Sequence, residues 1–290
     1  MPTIAINQET CIHCLKCLRI CPSVLFQLND DKKVTVDAKD CISCGQCVAI
    51  CPTASIAHSD FPVSHIHEFD RNHLPTPTQV ELLINSRRSN RAFSQKPIPQ
   101  EDLLRIIEAG HRAPTATNAQ GVKMVLVTNE KIMKEISPLL NERSNFNIFN
   151  SAADKLENPL LKPLLKRIMP QNYGYVPVFR RLRDEFNQGN DGILRGAKAA
   201  IFIYTDKKSR FGCQDSNLAY QNASLMAESM GIAQFYTGFI CSAAGMDHSN
   251  KIQKLLGIEG TLHAGMALGI PLFHFEKYID RKELDLKIIS

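Results

Sequence analysis

Two cysteine runs decide the organisation of this chain: Cys11-Ile12-His13-Cys14-Leu15-Lys16-Cys17, closed by Cys21-Pro22, and Cys41-Ile42-Ser43-Cys44-Gly45-Gln46-Cys47, closed by Cys51-Pro52. Each thiol of the first run has a counterpart 30 residues later, as do the isoleucine after the first thiol and the proline after the fourth. Matching positions at a fixed offset identify an internal repeat rather than scattered cysteine. The repeat predicts two equivalent thiol sites within residues 1–60.

The spacing of each run resembles the ligand run of bacterial two-cluster ferredoxins, in which three closely spaced thiolates hold one iron–sulfur cube and the fourth ligates the neighbouring cube. The resemblance implies two 4Fe-4S clusters with crossed ligands. One cluster would take Cys11, Cys14, Cys17 and Cys51, and the other would take Cys41, Cys44, Cys47 and Cys21. His13 lies inside the first run, but four thiolates saturate each cube, so we expect it to be a surface residue.

Two other uses of these cysteines compete with the clusters. A structural zinc site normally takes two ligand pairs separated by a longer loop, and a third thiol in each run has no role in a tetrahedral centre. A zinc-stapled nucleic-acid binder would also be colourless. A disulfide framework is disfavoured, because a chain of 290 residues can bury a core without covalent staples.

The composition predicts a soluble globular protein of one or two domains, since hydrophobic residues make up 44% of the chain. The longest stretch without a formal charge, residues 229–246, contains Gly231, Gln234 and Thr237 and is poor material for a membrane span. We therefore expect a cytoplasmic protein with no membrane partner. Cys213 and Cys241, outside the runs, are expected to be buried as small hydrophobes.

The charge of the chain does not require a nucleic-acid partner. The formal net charge is +5, but residues 1–60 hold 5 Lys and Arg against 6 Asp and Glu, so the basic excess lies in the rest of the chain. Two oxidised cubes with their thiolates would shift the net charge by about −4. The basic excess is instead available to an anionic cofactor.

The sequence divides into a module at residues 1–60, a linker at 61–79 and a larger domain at 80–290. The linker has three prolines and three histidines without periodicity, which favours a solvated connection over a metal site. In the module we expect strands at 3–6 and 34–36 and helical turns around Leu18 and Val48. In the larger domain we expect helices capped by Thr78 and at 100–112, 215–230 and 247–256, and strands at 122–128, 197–205, 232–240 and 262–270. Residues 129–196, divided by prolines, are predicted to be an insertion lying over a site.

A basic motif follows the first of these helices: Arg87-Arg88-Ser89-Asn90-Arg91-Ala92-Phe93. Guanidinium forks and hydroxyls together can satisfy the oxygens of a phosphate, so the motif can form an anion cradle. The alternative is a solvated basic helix end stabilised by the helix dipole. The motif alone does not decide between the two.

The order of the motifs resembles the FMN-dependent nitroreductase family and, with the cysteine module in front, the clostridial-type ferredoxin–nitroreductase fusion. The resemblance rests on the basic motif, on Ala113-Pro114-Thr115-Ala116-Thr117-Asn118, and on Leu256-Gly257-Ile258 and Ala267-Leu268-Gly269-Ile270-Pro271. It implies a small two-cluster ferredoxin-like module followed by a nitroreductase-like α+β domain. It also implies a homodimer with FMN at the subunit interface and the helix at 215–230 at its centre.

The resemblance further implies a set of flavin contacts. Arg87 and Ser89 would bind the FMN phosphate, Arg88 between them would also belong to the cofactor-binding set, and Arg91 would face the pyrimidine edge. Asn118, in the loop that begins with Pro114 and Thr115, would hydrogen-bond the ring or the ribityl chain. The turn Thr237-Gly238 would present a backbone N–H to flavin N5, and Lys277 or Arg281 would complete the phosphate site.

These cofactors together predict an FMN-dependent oxidoreductase, because clusters pass single electrons and flavin stores two. Electrons from a low-potential donor, ferredoxin-type or NAD(P)H-linked, would reach a nitroaromatic, quinone or activated-alkene acceptor. No side chain stands out as a catalytic acid. The alternative is a non-catalytic electron carrier or redox sensor, which flavin content would separate from the enzyme.

Overall fold

The computed structural model describes residues 1–141, 158–160, 162–168, 176–246 and 249–289. The chain forms two compact units: the first comprises Met1–Pro75 together with Ala116–Gln120, and the second comprises the remainder. The linker expected at residues 61–79 stays a prediction. In the described residues, no helix combines the length and apolar character needed to cross a membrane.

The first unit is built from four short strands and two short helices. Strand β1 (Ile4–Ile6) pairs antiparallel with β4 (Ile56–His58), and β2 (Phe26–Leu28) pairs antiparallel with β3 (Val34–Val36). Helices α1 (Lys16–Ile20) and α2 (Gln46–Ile50) begin beside the third thiol of each run. Two 3₁₀ turns follow at Val63–His65 and Arg71–His73. The sequence analysis had found β1 and β3 and both helical turns but neither β2 nor β4.

The sequence repeat is also a repeat of backbone conformation. His13 and Ser43 have φ of 51° and 49°, and Leu15 and Gly45 have φ of 58° and 70°. These left-handed residues bend both runs in the same way around their thiols. A small core of buried side chains lies beside them: Leu25, Phe26, Val34, Cys47 and Ile56.

The second unit contains one antiparallel sheet in the order β5-β6-β8-β7. Its strands are β5 (Lys123–Val127), β6 (Ala199–Thr205), β7 (Ala233–Tyr236) and β8 (Thr261–Gly269). Successive side chains of a strand point to opposite faces. Ile201 and Ile203 therefore enter one apolar cluster and Phe202 enters another, so the sheet is buried on both faces.

Helices cover both faces of this sheet. The described helices of the second unit are α3 (Pro77–Ser86), α4 (Gln100–His111), α5 (Glu130–Asn141), α6 (Lys162–Ile168), α7 (Val176–Asn187), α8 (Gly212–Ser229), α9 (Gly238–Met246) and α10 (Lys251–Leu256). Ile106 of α4 and Ala223 of α8 pack in the cluster with Ile201, whereas Ile136 of α5 and Ile240 of α9 pack with Phe202. This arrangement confirms the predicted α+β class.

Three details of the predicted elements were wrong. Helix α3 is capped by Thr76, not Thr78: the Thr76 hydroxyl accepts from the Gln79 backbone N–H, and the Gln79 side chain accepts from the Thr76 N–H. This capping box fixes the start of the helix. The strand expected at 232–240 ends at Tyr236, because the Thr237 carbonyl accepts the N–H groups of Ile240 and Cys241 and so opens α9.

The third error concerns Cys213, which is exposed, whereas Cys241 is buried as expected. Cys213 follows the buried Gly212 on the outer side of the first turn of α8. The helix expected at 247–256 is described from Lys251, and residues 247–248 lie outside the described residues. Much of the insertion expected at 129–196 also lies outside them.

Candidate functional site

The eight thiols of the two runs line two cavities in the first unit. The first cavity is lined by Cys11, Cys14, Cys17 and Cys51, and the second cavity by Cys21, Cys41, Cys44 and Cys47. The fourth cysteine of each run thus lies at the cavity of the other run, as the crossed ligand set predicts. Four free thiols at each cavity match the ligand number of one 4Fe-4S cube. In the parts of the chain that are described, no three His, Cys, Asp or Glu side chains are placed to hold a single metal ion.

The pKa of Cys47 is affected by the other thiols of the second cavity. Burial, with smaller contributions from the charges of Cys44, Cys41 and Cys21, raises the pKa of the Cys47 thiol to about 11. All three are thiols of the second cavity. Since iron binds the thiolate, assembly of a cluster there has to release protons that burial holds on the sulfur.

Polar groups contact Cys51 in the first cavity and Cys41 in the second. In the first cavity, the Ser55 backbone N–H donates to the Cys51 sulfur at 3.3 Å, and the Thr53 hydroxyl lies 3.7 Å from it. Burial raises the pKa of Cys51, but hydrogen bonds from the backbone and the side chains of Thr53 and Ser55 together outweigh burial and lower it. In the second cavity, Cys41 accepts from the Ser43 N–H at 3.4 Å and lies 3.5 Å from Nε2 of His58.

Asn118 belongs to the first unit and fastens the loop between two thiols of the second cavity. Its side-chain nitrogen donates to the carbonyl oxygens of Ile42 at 3.0 Å and Ser43 at 2.8 Å. The amide oxygen is therefore the part of this side chain that remains for a ligand. Pro114 and Thr115, which precede this segment, lie in the second unit.

The basic motif is fixed to the end of β8 by backbone pairing. The Ser94 N–H donates to the Ile270 carbonyl at 2.8 Å, and the Leu272 N–H donates to the Ala92 carbonyl at 2.9 Å. The Asn90 side chain donates to the Phe273 carbonyl at 3.0 Å. The motif is therefore an ordered segment beside the sheet and not a frayed helix end.

Two of its three arginines approach the same tyrosine. Burial raises the pKa of Tyr220, while the positive charges of Arg87 and Arg91 act to lower it. The Arg91 guanidinium lies 5.2 Å from the centre of the Phe235 ring and donates to the Ser89 carbonyl at 3.1 Å. The Arg88 guanidinium lies 6.0 Å from the centre of the Phe275 ring.

Neutral donors lie in the same unit. Gln234 is 1% exposed; its Oε1 accepts from the Tyr220 hydroxyl at 2.9 Å, and its Nε2 has no partner among the described residues. The Thr237 N–H donates to the Gly265 carbonyl at 2.9 Å. The Gly238 N–H, at the start of α9, has no helical partner. The two guanidinium groups, the Gln234 amide nitrogen and the Gly238 N–H fit an anionic ligand that also carries carbonyl oxygens, whereas the Thr237 N–H is already used in its bond to Gly265.

Other predicted residues are not brought to this group. Lys277 and Arg281 are exposed in the tail and pair with no described residue. A cavity of about 970 Å³, lined by residues such as Ile98, Met133 and Asp191, contains none of the predicted flavin contacts.

Sequence reasoning missed four of the contacting residues: His58, Tyr220, Gln234 and Phe235. His58 lies 17 residues after Cys41, and only the pairing of β1 with β4 brings it to the thiol. Alternation along β7 could have placed Gln234 and Phe235 on opposite faces of a strand. No motif in the sequence marked Tyr220.

Comparison with known proteins assigns both parts of the chain. Residues 84–270 match the model of the nitroreductase family, and residues 3–52 match the model of the 4Fe-4S dicluster domain. A nitroreductase with bound FMN from Bacteroides fragilis NCTC 9343 has a TM-score of 0.53 at 22% identity, covering 73% of this chain and 99% of its own. A nitroreductase with bound FMN from Desulfitobacterium hafniense DCB-2 has a TM-score of 0.52 at 20% identity, covering 72% and 96%.

Two curated relatives match only part of this chain and part of their own length. Iodotyrosine deiodinase from Hydra vulgaris is 23% identical over 50% of this chain and 52% of its own, and iodotyrosine deiodinase 1 from Homo sapiens is 24% identical over 58% of each. The chain therefore spans about half the length of the curated relatives it matches. At these identities the solved structures establish the fold alone.

Proposed function

Since the chain belongs to the nitroreductase family, we propose that it is an iron–sulfur flavoprotein oxidoreductase. Two 4Fe-4S clusters would take single electrons from a low-potential donor, ferredoxin-type or NAD(P)H-linked, and supply FMN, which transfers electron pairs to a nitroaromatic, quinone or activated alkene. The observation that carries the proposal is the pair of four-thiol cavities on the same chain as the family domain.

On the cluster side, this chain's residues provide ligands and shelter. The four thiols of the first cavity would hold one cluster, and the four of the second cavity would hold the other. Backbone N–H groups of Ser43 and Ser55 are directed at cluster-binding sulfurs. Such hydrogen bonds stabilise negative charge on the sulfur and help to set the potential of a cluster.

On the flavin side, Arg87 and Ser89 would bind the phosphate, and Arg88 would add positive charge at the same helix end. Charge-assisted contacts to a phosphate are the strongest the motif can make. The packing of Arg91 against Phe235 keeps its guanidinium beside Arg87 and Tyr220. The Gly238 N–H would reach the flavin ring.

Further flavin contacts rest on the family resemblance. They are Pro114, Thr115, the amide oxygen of Asn118, Thr237 and one of the tail residues Lys277 and Arg281. A phosphate site completed from the tail would need the tail to be held in place, which a second copy of the chain can do.

Association of two chains is part of the proposal. Helix α3 leaves Val80, Leu82 and Ile84 at 38%, 58% and 52% exposure, and the tail after β8 exposes several more apolar side chains: Leu272, Phe273, Phe275, Tyr278, Ile279, Leu284, Leu286, Ile288 and Ile289. Exposed apolar area on this scale is typical of an interface. Light scattering after gel filtration should give twice the chain mass, and a monomer at micromolar concentration would refute this part.

The first experiment measures cofactors and electron flow in anaerobically purified protein. We expect a brown protein with about eight irons and one FMN per chain, and rapid reoxidation of the reduced protein by nitroaromatics or quinones. Cys44→Ser should abolish turnover driven by a one-electron donor while FMN content persists. Cys213→Ser, which alters an exposed thiol outside both cavities, is the matched control. One or two zinc ions per chain, or an extract free of flavin, would end the proposal.

The choice of acceptors should include iodinated phenols, because both curated relatives are iodotyrosine deiodinases. Release of iodide by the reduced protein would place reductive dehalogenation among its activities. A protein with full cofactor content that reduces no acceptor, yet exchanges electrons with a ferredoxin, would instead support the electron carrier or redox sensor.

A further inference from the structure

His58 is held in one orientation inside the first unit. It ends strand β4 and is only 5% exposed. The Asp60 backbone N–H donates to Nδ1 of its ring at 3.1 Å, and the ring packs against Phe61 with centroids 4.8 Å apart. A ring fixed by a hydrogen bond and by an aromatic neighbour has little freedom to turn.

The contact with Asp60 determines which ring nitrogen carries the hydrogen. A nitrogen that accepts a hydrogen bond has no hydrogen of its own, so in neutral imidazole the other nitrogen is the donor. The donor is therefore Nε2, which lies 3.5 Å from the sulfur of Cys41. The geometry is that of an N–H···S hydrogen bond to a thiol of the second cavity.

We propose that His58 is a positioning residue that donates this hydrogen bond to the Cys41 thiolate and thereby raises the reduction potential of the cluster in the second cavity. The inference rests on the proposed function only in requiring that this cavity holds a 4Fe-4S cluster. Reduction adds one electron and no proton, and the added negative charge is shared by the cluster sulfurs. A donor fixed at one sulfur stabilises the reduced form more than the oxidised form.

Burial strengthens the effect and makes it specific to one cluster. The His58 ring is almost fully covered, so water has little access to the place of the donor, and removal of the N–H leaves the Cys41 sulfur with the Ser43 N–H but without this second donor. In the sequence repeat, the position 30 residues before His58 is Leu28, which has no side-chain donor and is 45% exposed. The first cavity therefore has no histidine at the equivalent position.

Two substitutions separate hydrogen bonding from packing. His58→Phe keeps an aromatic ring against Phe61 but removes the N–H, whereas His58→Gln removes the ring but keeps a nitrogen donor near the position of Nε2. If the donor matters, the Phe variant changes the potential more than the Gln variant. If the ring only fills space, the order is reversed.

The measurement is an anaerobic redox titration of the holoprotein, followed by paramagnetic resonance at constant pH. We expect one of the two cluster midpoints to fall in His58→Phe, with the reduction equilibrium weakened about tenfold, or about 59 mV for a one-electron couple. The other midpoint should stay in place. His13→Gln, which changes an exposed histidine of the first run, should shift neither.

A His58→Phe protein with both clusters and unchanged midpoints would overturn the proposal while leaving the proposed function intact. Wild-type protein without clusters would instead refute the proposed function. If His58→Phe fails to assemble, pulsed resonance of wild-type protein containing ¹⁵N-histidine decides the matter. Coupling of histidine nitrogen to the reduced cluster, absent in His58→Gln, supports the hydrogen bond, and a wild-type spectrum without coupling refutes it.

Discussion

Replacement of Gly269 by alanine tests how the basic motif is held beside the sheet. Gly269 is the last residue of β8 and is buried, and its φ lies outside the left-handed region, so alanine can adopt its backbone conformation. A Cβ built there would lie 2.5 Å from Cδ1, 2.6 Å from Cγ and 2.9 Å from Cβ of Phe93. These atoms include the stem of the side chain, so a rotation of the ring cannot relieve the overlap.

The backbone around Phe93 cannot easily retreat either. Its neighbours Ala92 and Ser94 are hydrogen-bonded to Leu272 and Ile270 at 2.9 and 2.8 Å. Overpacking of this kind typically costs about 1 to 3 kcal/mol. In a domain of this size, a loss of about 2 kcal/mol lowers Tm by about 4 to 8 °C.

The same displacement should weaken FMN binding. Phe93 stacks on Phe235 with ring centroids 5.9 Å apart, and the Arg91 guanidinium packs against the Phe235 ring. Suppose that moving the basic motif relieves about 1.4 kcal/mol of strain. FMN binding then has to return the motif to its original position at that cost, so FMN affinity falls about tenfold. Differential scanning fluorimetry and FMN titration of the apoflavin protein measure both quantities.

Gly245→Ala is the matched control, because a Cβ at this position in α9 meets nothing within 4 Å. It should leave FMN affinity unchanged and leave Tm equal or higher, since alanine favours a helix over glycine by about 1 kcal/mol. Phe93→Leu should reduce the loss of stability caused by Gly269→Ala, because the smaller side chain leaves room for the new methyl group. A double-mutant cycle would detect this as a coupling free energy between the two positions. A Gly269→Ala protein with wild-type Tm and wild-type FMN affinity would refute the reasoning.

Four further predictions follow from single contacts. Cys21→Ser should disrupt the cluster of the second cavity and spare the other, because Cys21 lines the second cavity; resonance spectra with the opposite pattern would contradict the crossed ligands. Arg87→Ala should lose FMN while cluster absorbance stays, since contacts to a phosphate are local; loss of both cofactors would indicate misfolding. Asn118→Ala should speed bleaching of the second cluster in air by freeing the Ile42–Ser43 carbonyls, and equal bleaching rates would contradict this. Burial lowers the pKa of His263, so the unfolded chain binds more protons below about pH 6.5; stability should fall as the pH falls from 7 to 5, and His263→Gln should flatten this slope in denaturant titrations.

Much of the first unit was predictable from the cysteines. The repeat marks the eight thiols, and the structure groups Cys51 and Cys21 with the opposite runs as the ferredoxin resemblance implies. The left-handed bends at His13 and Ser43 recur at the same offset. Strands β2 and β4 were not predicted, because three-residue strands carry too little alternation to stand out.

The second unit was predicted less well where backbone pairing decides the structure. An apolar stretch such as residues 232–240 fits a strand throughout. Its pairing with β8 ends at Tyr236, opposite Met266, and the Thr237 carbonyl instead accepts the N–H groups that open α9. The exposure of Cys213 likewise depends on which side of α8 faces α4. Both outcomes depend on neighbours distant in the sequence, which local patterns do not encode.

The two cavities come from one repeated run, yet their thiols meet different polar groups. Cys41 meets His58, whereas the matching position for Cys11 is Leu28. The thiol contacts of Ser55 and Thr53 belong to Cys51, which the crossing places in the first cavity. Hydrogen bonds to sulfur and exposure set the potential of a cluster, so two clusters held by these thiols would share their ligand number and differ in potential. In the proposed relay, a difference in potential would set which of the two clusters holds the electron at equilibrium.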